Sequence, residues 1–393
     1  MRLRTLRNTT KLQGKRVLVR IDANVPIKRG KAVDGEYGRI ARATVDLEWL
    51  RQRGAKVVVM THLGRPGGKR IAAYSTLPVM RRIDELIGNH IKHCRQVTGP
   101  QVEKMVAKMG DGDILVLENM RYDPRETENA KSFASSLAAC GDIYINDAFA
   151  NSHRAHASMD AITDELPSYA GPSLIHEVEV LDGVMKKAGH PFVLVMGGLK
   201  MDDKIAVMKE FLQKADTIAV GGALAAAFLV AQGVSVRKSV YDKKGVALAK
   251  KMLQQEPDKF ILPTDVRVAR SLSGSWSVIK PVEEIKSNEM IVDLGSNSMR
   301  ALRKEIKKAK TIVWNGPFGY CENKRFCDGT ESLARAIAKR TGSAKTIVGG
   351  GNTLPVVEAL HLAKRYTLLS SGGGAMLDFL AGKKLPGLEA LKF

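Results

Sequence analysis

Cysteine and aromatic residues are scarce in this chain. Four cysteines (Cys94, Cys140, Cys321 and Cys327) are spread over 393 residues. None forms a C-x-x-C pair, which argues against a zinc site. So few in so long a chain exclude a disulfide framework and point to a reducing compartment; all four are expected to be inert core or surface thiols. Aromatics are only 5% of the residues, so the core has to be built of Val, Ile, Leu, Ala and Met. No apolar h-region follows the basic start MRLRTLRNTTKLQGKR, so a secretory signal is not expected. The single membrane-like run, Thr217 to Val236, is broken by Gly221-Gly222 and preceded by Asp216, which reads as strand, tight turn and buried helix. A soluble cytoplasmic protein is expected.

Negative charge is also in short supply. Lys and Arg number 62 against 41 Asp and Glu, a formal charge of +21. Such a balance suits nucleic acid, an acidic membrane surface or phosphorylated metabolites, or simply keeps the surface soluble. A nucleic-acid protein should carry a basic stripe interleaved with aromatics. Here the aromatics are few and the cations are scattered among helices, which leaves nucleic acid outside the main role.

Glycine is in good supply: 36 residues, above the usual share of about 7%. Along the chain a short β-branched run, a glycine-rich or polar turn and an amphipathic segment alternate. The runs are Arg16–Val19, Lys56–Met60, Ile114–Leu117, Ile143–Ile145, Phe192–Met196, Thr217–Val220, Lys259–Leu262, Thr311–Trp314, Lys345–Val348 and Thr367–Leu369. Helices are expected at Arg39–Arg53, Asp202–Lys214, Asn297–Lys308 and Asn352–Leu362. Continuous rather than alternating apolarity suits parallel strands buried on both faces. The pattern reads as α/β, with more than one sheet. A boundary is expected between Ser158 and Pro191, where Ser173–Ala188 reads as a helix, either a connecting rod or an ordinary packing helix.

Ligands in open α/β sheets gather beyond the carboxyl ends of the strands. In the first half those ends carry Asp22-Ala23-Asn24, His62-Leu63-Gly64-Arg65, Arg121 and His153-Arg154-Ala155-His156, with Arg39 at a helix start. Arginines in such places make bidentate contacts with carboxylate or phosphate; Arg20 stands apart from this set. His153 and His156 are read as a hydrogen-bonding scaffold rather than metal ligands, since no H-E-x-x-H is present. In the second half the strand ends carry Gly197-Gly198-Leu199-Lys200, Gly221-Gly222-Ala223, Asn315-Gly316-Pro317, Gly349-Gly350-Gly351-Asn352-Thr353 and Ser371-Gly372-Gly373-Gly374. Glycine lets backbone N–H groups approach a ligand, and Lys200 and Lys204 lie one helical turn apart. A nucleotide polyphosphate site follows, although no Walker motif, no G-x-G-x-x-G and no protein-kinase motif set is present.

The ordered strings R-I-D-A-N-V-P, T-H-L-G-R-P, L-E-N-M-R-Y, I-N-D-A-F-A-N-S-H-R-A-H, G-G-L-K-M-D-D-K, L-P-T-D, W-N-G-P-F-G, G-G-G-N-T and S-S-G-G-G-A resemble the motifs of phosphoglycerate kinase, in that family's order, from about Arg16 to Leu391. The resemblance implies two Rossmann-like three-layer αβα domains with parallel sheets, joined by a helix and hinge. It implies an acid-substrate domain over 1–171 with the tail 386–393 packed back on it, a connector over 172–190 and a nucleotide domain over 191–385. The implied reaction is phosphoryl transfer between 1,3-bisphosphoglycerate and ADP, with Mg²⁺ accompanying the nucleotide, by a hinge-bending monomer.

Under the resemblance, Asp22, Ala23, Asn24, His62, Leu63, Gly64, Arg65, Arg121 and Arg154 hold the acid substrate. Arg39, Lys200, Gly350 and Gly373 serve the transferring group. Lys204, Gly222, Gly295, Asn315, Pro317, Glu322, Gly349, Gly351, Thr353 and Ser371 join Lys200 and Gly350 on the nucleotide side. One departure matters: Asn352 stands where the family usually has the Asp that ligates Mg²⁺, and an amide oxygen is a weaker ligand for a hard cation. Smaller departures are Leu199 for Ala, Ala223 for Gly and Ser371 for Thr. A different acyl-phosphate kinase on a related scaffold is the competing enzyme reading.

Overall fold

The computed structural model describes residues 1–7, 10–88, 91–198 and 202–393. The chain forms two compact units: Met1–Glu179 together with Lys384–Phe393, and Val180–Lys383. The division falls inside the helix Pro172–Lys187.

In the first unit six strands form one sheet in the order Lys92–His93, Ile114–Val116, Lys56–Met60, Arg16–Ile21, Ile143–Asp147, Ser168–Ala170, with every neighbouring pair parallel. Alternate residues of these strands enter two different cores. Val17, Val19, Val57 and Val59 pack with Ile40 and Leu47 of the helix Arg39–Arg51. Leu18, Val58, Leu115 and Tyr144 pack on the opposite face, with Val102, Phe133 and Leu137. Both faces are dry, so both strand positions are apolar, and each fully buried Val or Leu contributes about 1.5–3 kcal/mol. The C-terminal segment belongs to this unit: the Arg4 amide donates to Leu391 O (2.9 Å), the Gly387 amide to Ser152 O (2.9 Å) and Asn146 Nδ2 to Gly387 O (3.2 Å).

The second unit has a six-stranded parallel sheet in the order Phe260–Ile261, Thr217–Val220, Phe192–Met196, Thr311–Asn315, Lys345–Gly349, Leu368–Ser370. Counted along the chain this is 3-2-1-4-5-6, the doubly wound order, whose direction reverses between Phe192–Met196 and Thr311–Asn315. Val193, Val195, Ile312, Trp314 and Val348 face a core shared with Leu302, Ile306, Leu333 and Ile337 of the helices Ser296–Lys308 and Asp328–Ala338.

The unit also holds a three-stranded antiparallel sheet of Asp265–Ala269, Ser277–Pro281 and Met290–Leu294, which reading the chain as parallel βα repeats does not anticipate. One face of its middle strand, Val266 and Val268, is buried against Ala226 and Leu229, while Val278 and Ile279 of the edge strand stay exposed. Half-solvated strands give a weaker apolar signal than buried ones. The run Thr217 to Val236 resolves into the strand Thr217–Val220 and the helix Gly222–Ala231. Among the described residues no helix is long and apolar enough to cross a membrane.

The expectation of inert, unpaired thiols fails for two of the four cysteines. Cys321 and Cys327 form a disulfide, their Cα atoms 4.6 Å apart, inside the usual range for such bonds. A reversal of the chain brings them together: the Asn323 amide donates to Tyr320 O (3.1 Å) and the Cys327 amide to Lys324 O (3.3 Å). Cys94 and Cys140 are buried and free.

Candidate functional site

In the first unit the carboxyl ends of Arg16–Ile21, Lys56–Met60 and Ile143–Asp147 lie side by side, and the residues after them interlock. Arg39 Nη1 pairs with the Asp22 carboxylate at 2.8 Å and donates to Asn24 O at 3.3 Å. Arg39 opens its helix because Asp34 caps it, accepting from the Ile40 amide (3.1 Å) and the Ala41 amide (2.9 Å). The Asn24 side chain in turn accepts from the Gly64 amide at 2.9 Å, and Arg121 Nη1 donates to Gly64 O at 2.8 Å. Gly64 has φ +59°, and a Cβ there would lie 2.4 Å from the Tyr74 ring, so no other residue fits without displacing that ring. Asn119 holds the same loop from behind, its Nδ2 donating to Leu63 O (2.7 Å) and Tyr74 O (2.9 Å).

His62 is almost wholly buried, and its Nδ1 lies 3.0 Å from Arg20 Nη2. A guanidinium can only donate, so Nδ1 accepts and the proton sits on Nε2. Burial first, then the charges of Arg20, Arg121 and Arg154, push the His62 pKa well below its ordinary value. His62 is therefore a neutral N–H donor at pH 7. Arg121 is drawn down to about 10 by burial, then by Arg20 and Arg154. Arg154 is lowered by burial and then by Arg65. Cations that depress one another in this way are relieved by a bound anion.

The acid that balances this cluster is the buried Glu126, which accepts from the Ser158 amide (2.9 Å) and Ser158 Oγ (2.7 Å). Burial alone would raise the Glu126 carboxyl, but His156, Arg20 and Ser158 outweigh it and hold the carboxyl below the ordinary range. His156 Nδ1 stands 3.6 Å from Glu126, too far for a hydrogen bond.

The structure thus brings Asp22, Asn24, Arg39, His62, Gly64, Arg121 and Arg154 into one neighbourhood, with Arg65 exposed beside it. Ala23 and Leu63 have buried side chains and offer only backbone. Reading strand ends misses Glu126 and Ser158, finds Asn119 without giving it a role, and sets Arg20 aside. Arg20 is fully buried, and its Nε donates to Ser158 Oγ at 3.0 Å, so it positions His62 from inside the wall. Its place at the end of an apolar strand was the available signal.

In the second unit the sheet reverses direction where Gly197 and Gly316 meet. The Gly197 amide donates to Asn315 O (2.9 Å), and a Cβ on Gly316 would lie 2.1 Å from Gly197 O. This near-contact of two backbones makes the crevice floor. The Thr353 hydroxyl, fully buried, accepts from the Gly316 amide at 3.0 Å, so Thr353 acts here as a pillar. Asn315 Nδ2 is buried without a partner. Lys204 is mostly buried, and its Nζ would lie 3.5 Å from a Cβ on Gly198. Lys200 and Leu199 lie outside the described residues.

Beside the crevice a cavity of about 260 Å³ is lined by Gly222, Ala226, Val292, Pro317, Phe318, Glu322 and Asn352, among others. It is apolar at its base, with Glu322 and Asn352 at its exposed rim. Gly295 is not part of its lining. It starts the helix Ser296–Lys308, and a Cβ there would strike the Asp265 carboxylate at 2.2 Å. Asp265 caps that helix, accepting from the amides of Asn297 (3.0 Å) and Ser298 (2.7 Å). Gly349 ends strand Lys345–Gly349 inside the buried sheet, Gly350 and Gly351 turn the chain, and Ser371 precedes the turn Gly372–Gly373 that opens helix Gly374–Leu380.

Among the described residues no three His, Cys, Asp or Glu side chains gather as metal ligands. Among the described residues, the Asn352 amide and the Glu322 carboxylate offer oxygen acceptors at the rim. A Mg²⁺ ion that arrives with a nucleotide keeps its waters and phosphate oxygens and takes only one or two protein oxygens, which this rim can supply.

Comparison with known proteins gives a consistent result. The family model described as phosphoglycerate kinase matches residues 7–383. The chain is 40% identical over 381 residues to a phosphoglycerate kinase of Rubrobacter xylanophilus, covering 97% of this chain and 96% of that one. It is also 40% identical over 384 residues to one of Moorella thermoacetica, covering 97% of each. The solved structure of phosphoglycerate kinase from Coxiella burnetii matches with a TM-score of 0.83 at 36% identity, over 98% of this chain and 97% of that one. That from Pyrococcus horikoshii matches with a TM-score of 0.88 at 28% identity, over 97% of each.

Proposed function

The chain belongs to the phosphoglycerate kinase family, and from that premise we propose that its first unit holds the phosphoglycerate and its second unit the nucleotide. The protein is a phosphotransferase with a carboxyl group as acceptor. It moves a phosphoryl group between 1,3-bisphosphoglycerate and ADP, giving 3-phosphoglycerate and ATP.

The observation that carries the division is the gathering of Arg121, Arg154 and the neutral donor His62, with Arg20 behind His62, in a wall whose buried acid, Glu126, is already engaged by Ser158. Such a cluster takes an oxyanion. The 3-phosphate is held by Arg65, Arg121 and Arg154 in charge-assisted hydrogen bonds, with neutral His62 donating from Nε2. Asp22 and Asn24 take the hydroxyl and the glycerate backbone. Asp22 also orients Arg39, so that its remaining N–H groups face the carboxyl and the transferring phosphoryl.

On the other side, the apolar cavity takes the base, with Pro317 as one wall and Glu322 on the sugar. Lys204, Asn315 Nδ2 and the backbone donors of Gly222, Gly350, Gly351, Gly373 and Ser371 take the phosphates. Lys200 belongs to the same set by its place in the sequence. Gly295 supports the pocket through Asp265. Asn352 would hold Mg²⁺, which when bound neutralises charge on the nucleotide phosphates.

Displacement on phosphorus needs no protein nucleophile; this chain's residues bind, orient and stabilise charge. Direct transfer also requires both ligands to meet, so hinge bending about the helix Pro172–Lys187 is part of the reading. Small-angle scattering should show compaction only with both substrates present. The decisive test is a pair of variants. Arg154→Ala should raise the KM for 3-phosphoglycerate about tenfold or more and leave ADP affinity unchanged, and Lys204→Ala should do the reverse. Both variants weakening both ligands equally would refute the division.

A further inference from the structure

We propose that the Cys321–Cys327 disulfide is a reversible redox-modification site whose state sets the affinity of the second unit for nucleotide. The proposal rests on the reading of that unit as the nucleotide half. The bond closes the segment Cys321-Glu322-Asn323-Lys324-Arg325-Phe326-Cys327, which joins strand Thr311–Asn315 to helix Asp328–Ala338. Both cysteines line a cavity of about 290 Å³ together with Pro317, Glu322, Gly351 and Asn352. Pro317, Glu322 and Asn352 also line the cavity assigned above to the base. The disulfide is therefore built into the wall of the site.

The two ends of this segment are held differently. Its middle and its C-terminal end are anchored without the disulfide: Asn323 Nδ2 donates to Leu272 O (3.0 Å) and Gly274 O (3.3 Å), and Phe326 is fully buried beside Ala269 and Val292. The Cys321-Glu322 end is tied by the Tyr320 amide to Val292 O (2.9 Å), the Cys321 amide to Gly319 O (3.1 Å), the Asn323 amide to Tyr320 O (3.1 Å) and the disulfide, while the Glu322 side chain is exposed. Reduction thus leaves the unit folded on these hydrogen bonds and removes the covalent tie beside Glu322, which loosens that part of the site wall. A looser wall has to be ordered again when nucleotide binds, which costs affinity.

Access and chemistry agree with exchange. Cys321 is half-buried and opens on the cavity, whereas Cys327 is 4% exposed. Lys324 lines the same cavity, and a neighbouring cation favours the thiolate. The free cysteines offer no competing site: Cys94 and Cys140 are buried, and burial pushes both thiols up. The co-reactant is a dithiol. Its thiolate attacks Cys321 Sγ and forms a mixed disulfide. The Cys321–Cys327 bond breaks, and Cys327 leaves as a thiolate that takes a proton. The dithiol's second thiolate then displaces Cys321, which takes the other proton. Two electrons and two protons pass to the protein, and the dithiol becomes a disulfide. An oxidised dithiol reverses every step.

The test uses the whole protein equilibrated with reduced or oxidised dithiothreitol. Alkylation under denaturing conditions should count four thiols in the reduced form and two in the oxidised form. ADP should bind roughly threefold to tenfold more weakly to the reduced form, with full recovery on reoxidation and no change in 3-phosphoglycerate affinity. The double variant Cys321→Ser/Cys327→Ser should bind ADP as the reduced form does, whatever the buffer. Four reactive thiols after oxidation, or equal ADP affinity in the two states, overturns the proposal alone. Failure of ADP to bind in either state overturns the nucleotide reading and the proposal with it.

Discussion

Replacing Arg121 by Met should weaken substrate binding while leaving the free protein at least as stable. Arg121 is held at about 10 against an ordinary 12.5. At about 1.4 kcal/mol per pKa unit, roughly 3 kcal/mol goes into keeping this cation charged in the folded state. The site opens to solvent, and screening reduces that to about 1–2 kcal/mol. At pH 7 the group is charged both folded and unfolded, so the cost is fully present; it disappears only as pH rises past about 10. Methionine fills much of the same space without the charge. It forfeits the bond to Gly64 O at 2.8 Å, worth about 1 kcal/mol. The free protein should gain between nothing and about 1 kcal/mol, a rise in Tm of at most about 4 °C. Losing a charge-assisted bond to phosphate costs about 1.5–3 kcal/mol, or roughly 10- to 150-fold in affinity. Thermal unfolding with and without 3-phosphoglycerate reads both effects, because the ligand-induced rise in Tm shrinks as affinity falls. A free-protein Tm lowered by more than about 4 °C, together with unchanged 3-phosphoglycerate affinity, would make Arg121 a structural residue and refute the reasoning.

Three further changes test other parts. Asp293 is raised to about 7, chiefly by burial, so the folded form keeps a proton that the unfolded chain gives up above about pH 4. Stability should therefore fall with rising pH between about 4 and 7, by at most about 1.4 kcal/mol per unit. Asp293→Asn should flatten that slope, and urea midpoints at several pH values that stay parallel would count against it. Glu126 is held below its ordinary range, so its contribution is present above the unfolded carboxyl pKa of about 4.3 and is lost as pH falls through the folded value. Glu126→Gln should cost about 2–4 kcal/mol at neutral pH and soften acid unfolding; a loss under about 1 kcal/mol would mean that Glu126 is not the counterion of Arg20. Asn352→Asp should tighten apparent Mg²⁺ affinity at fixed ADP by roughly 5- to 30-fold, and an unchanged Mg²⁺ titration would move the ion elsewhere.

The parallel sheets were legible because their main strands carry unbroken apolar runs: Val17–Val19, Val57–Met60, Phe192–Met196 and Ile218–Val220. Lys56–Met60, Phe192–Met196 and Thr217–Val220 are found where the runs place them. Strands that lack this property were not: Lys92–His93 is polar, and Ser168–Ala170 is short. The antiparallel strands mix exposed and buried positions. Helix ends are also shorter than their amphipathic pattern. Asn352–Leu362 reduces to Leu354–Ala359, because Gly350 and Thr353 are spent on the turn that supports Gly316.

Site residues divide in the same way. Those that meet ligand announce themselves by type at a strand end: Arg65, Arg121 and Arg154 are cations where a fold of this class binds anions. Those that hold them in place do not, because what defines each is a partner distant in the chain. Glu126 matters through Ser158, Ser158 in turn through Arg20, Asn119 through Leu63, and Asp265 through Ser298, at separations of 32, 138, 56 and 33 residues for the bonds concerned. A buried carboxylate and a surface one look alike until the sheet brings their partners together. The Cys321–Cys327 pair is the short-range version of the same problem. A spacing of six residues is neutral by itself, and only the turn through Asn323 and the burial of Phe326 bring the two sulfurs together. The chemistry of this protein was therefore legible wherever one residue carries it, and became visible only in the folded chain wherever two residues share it.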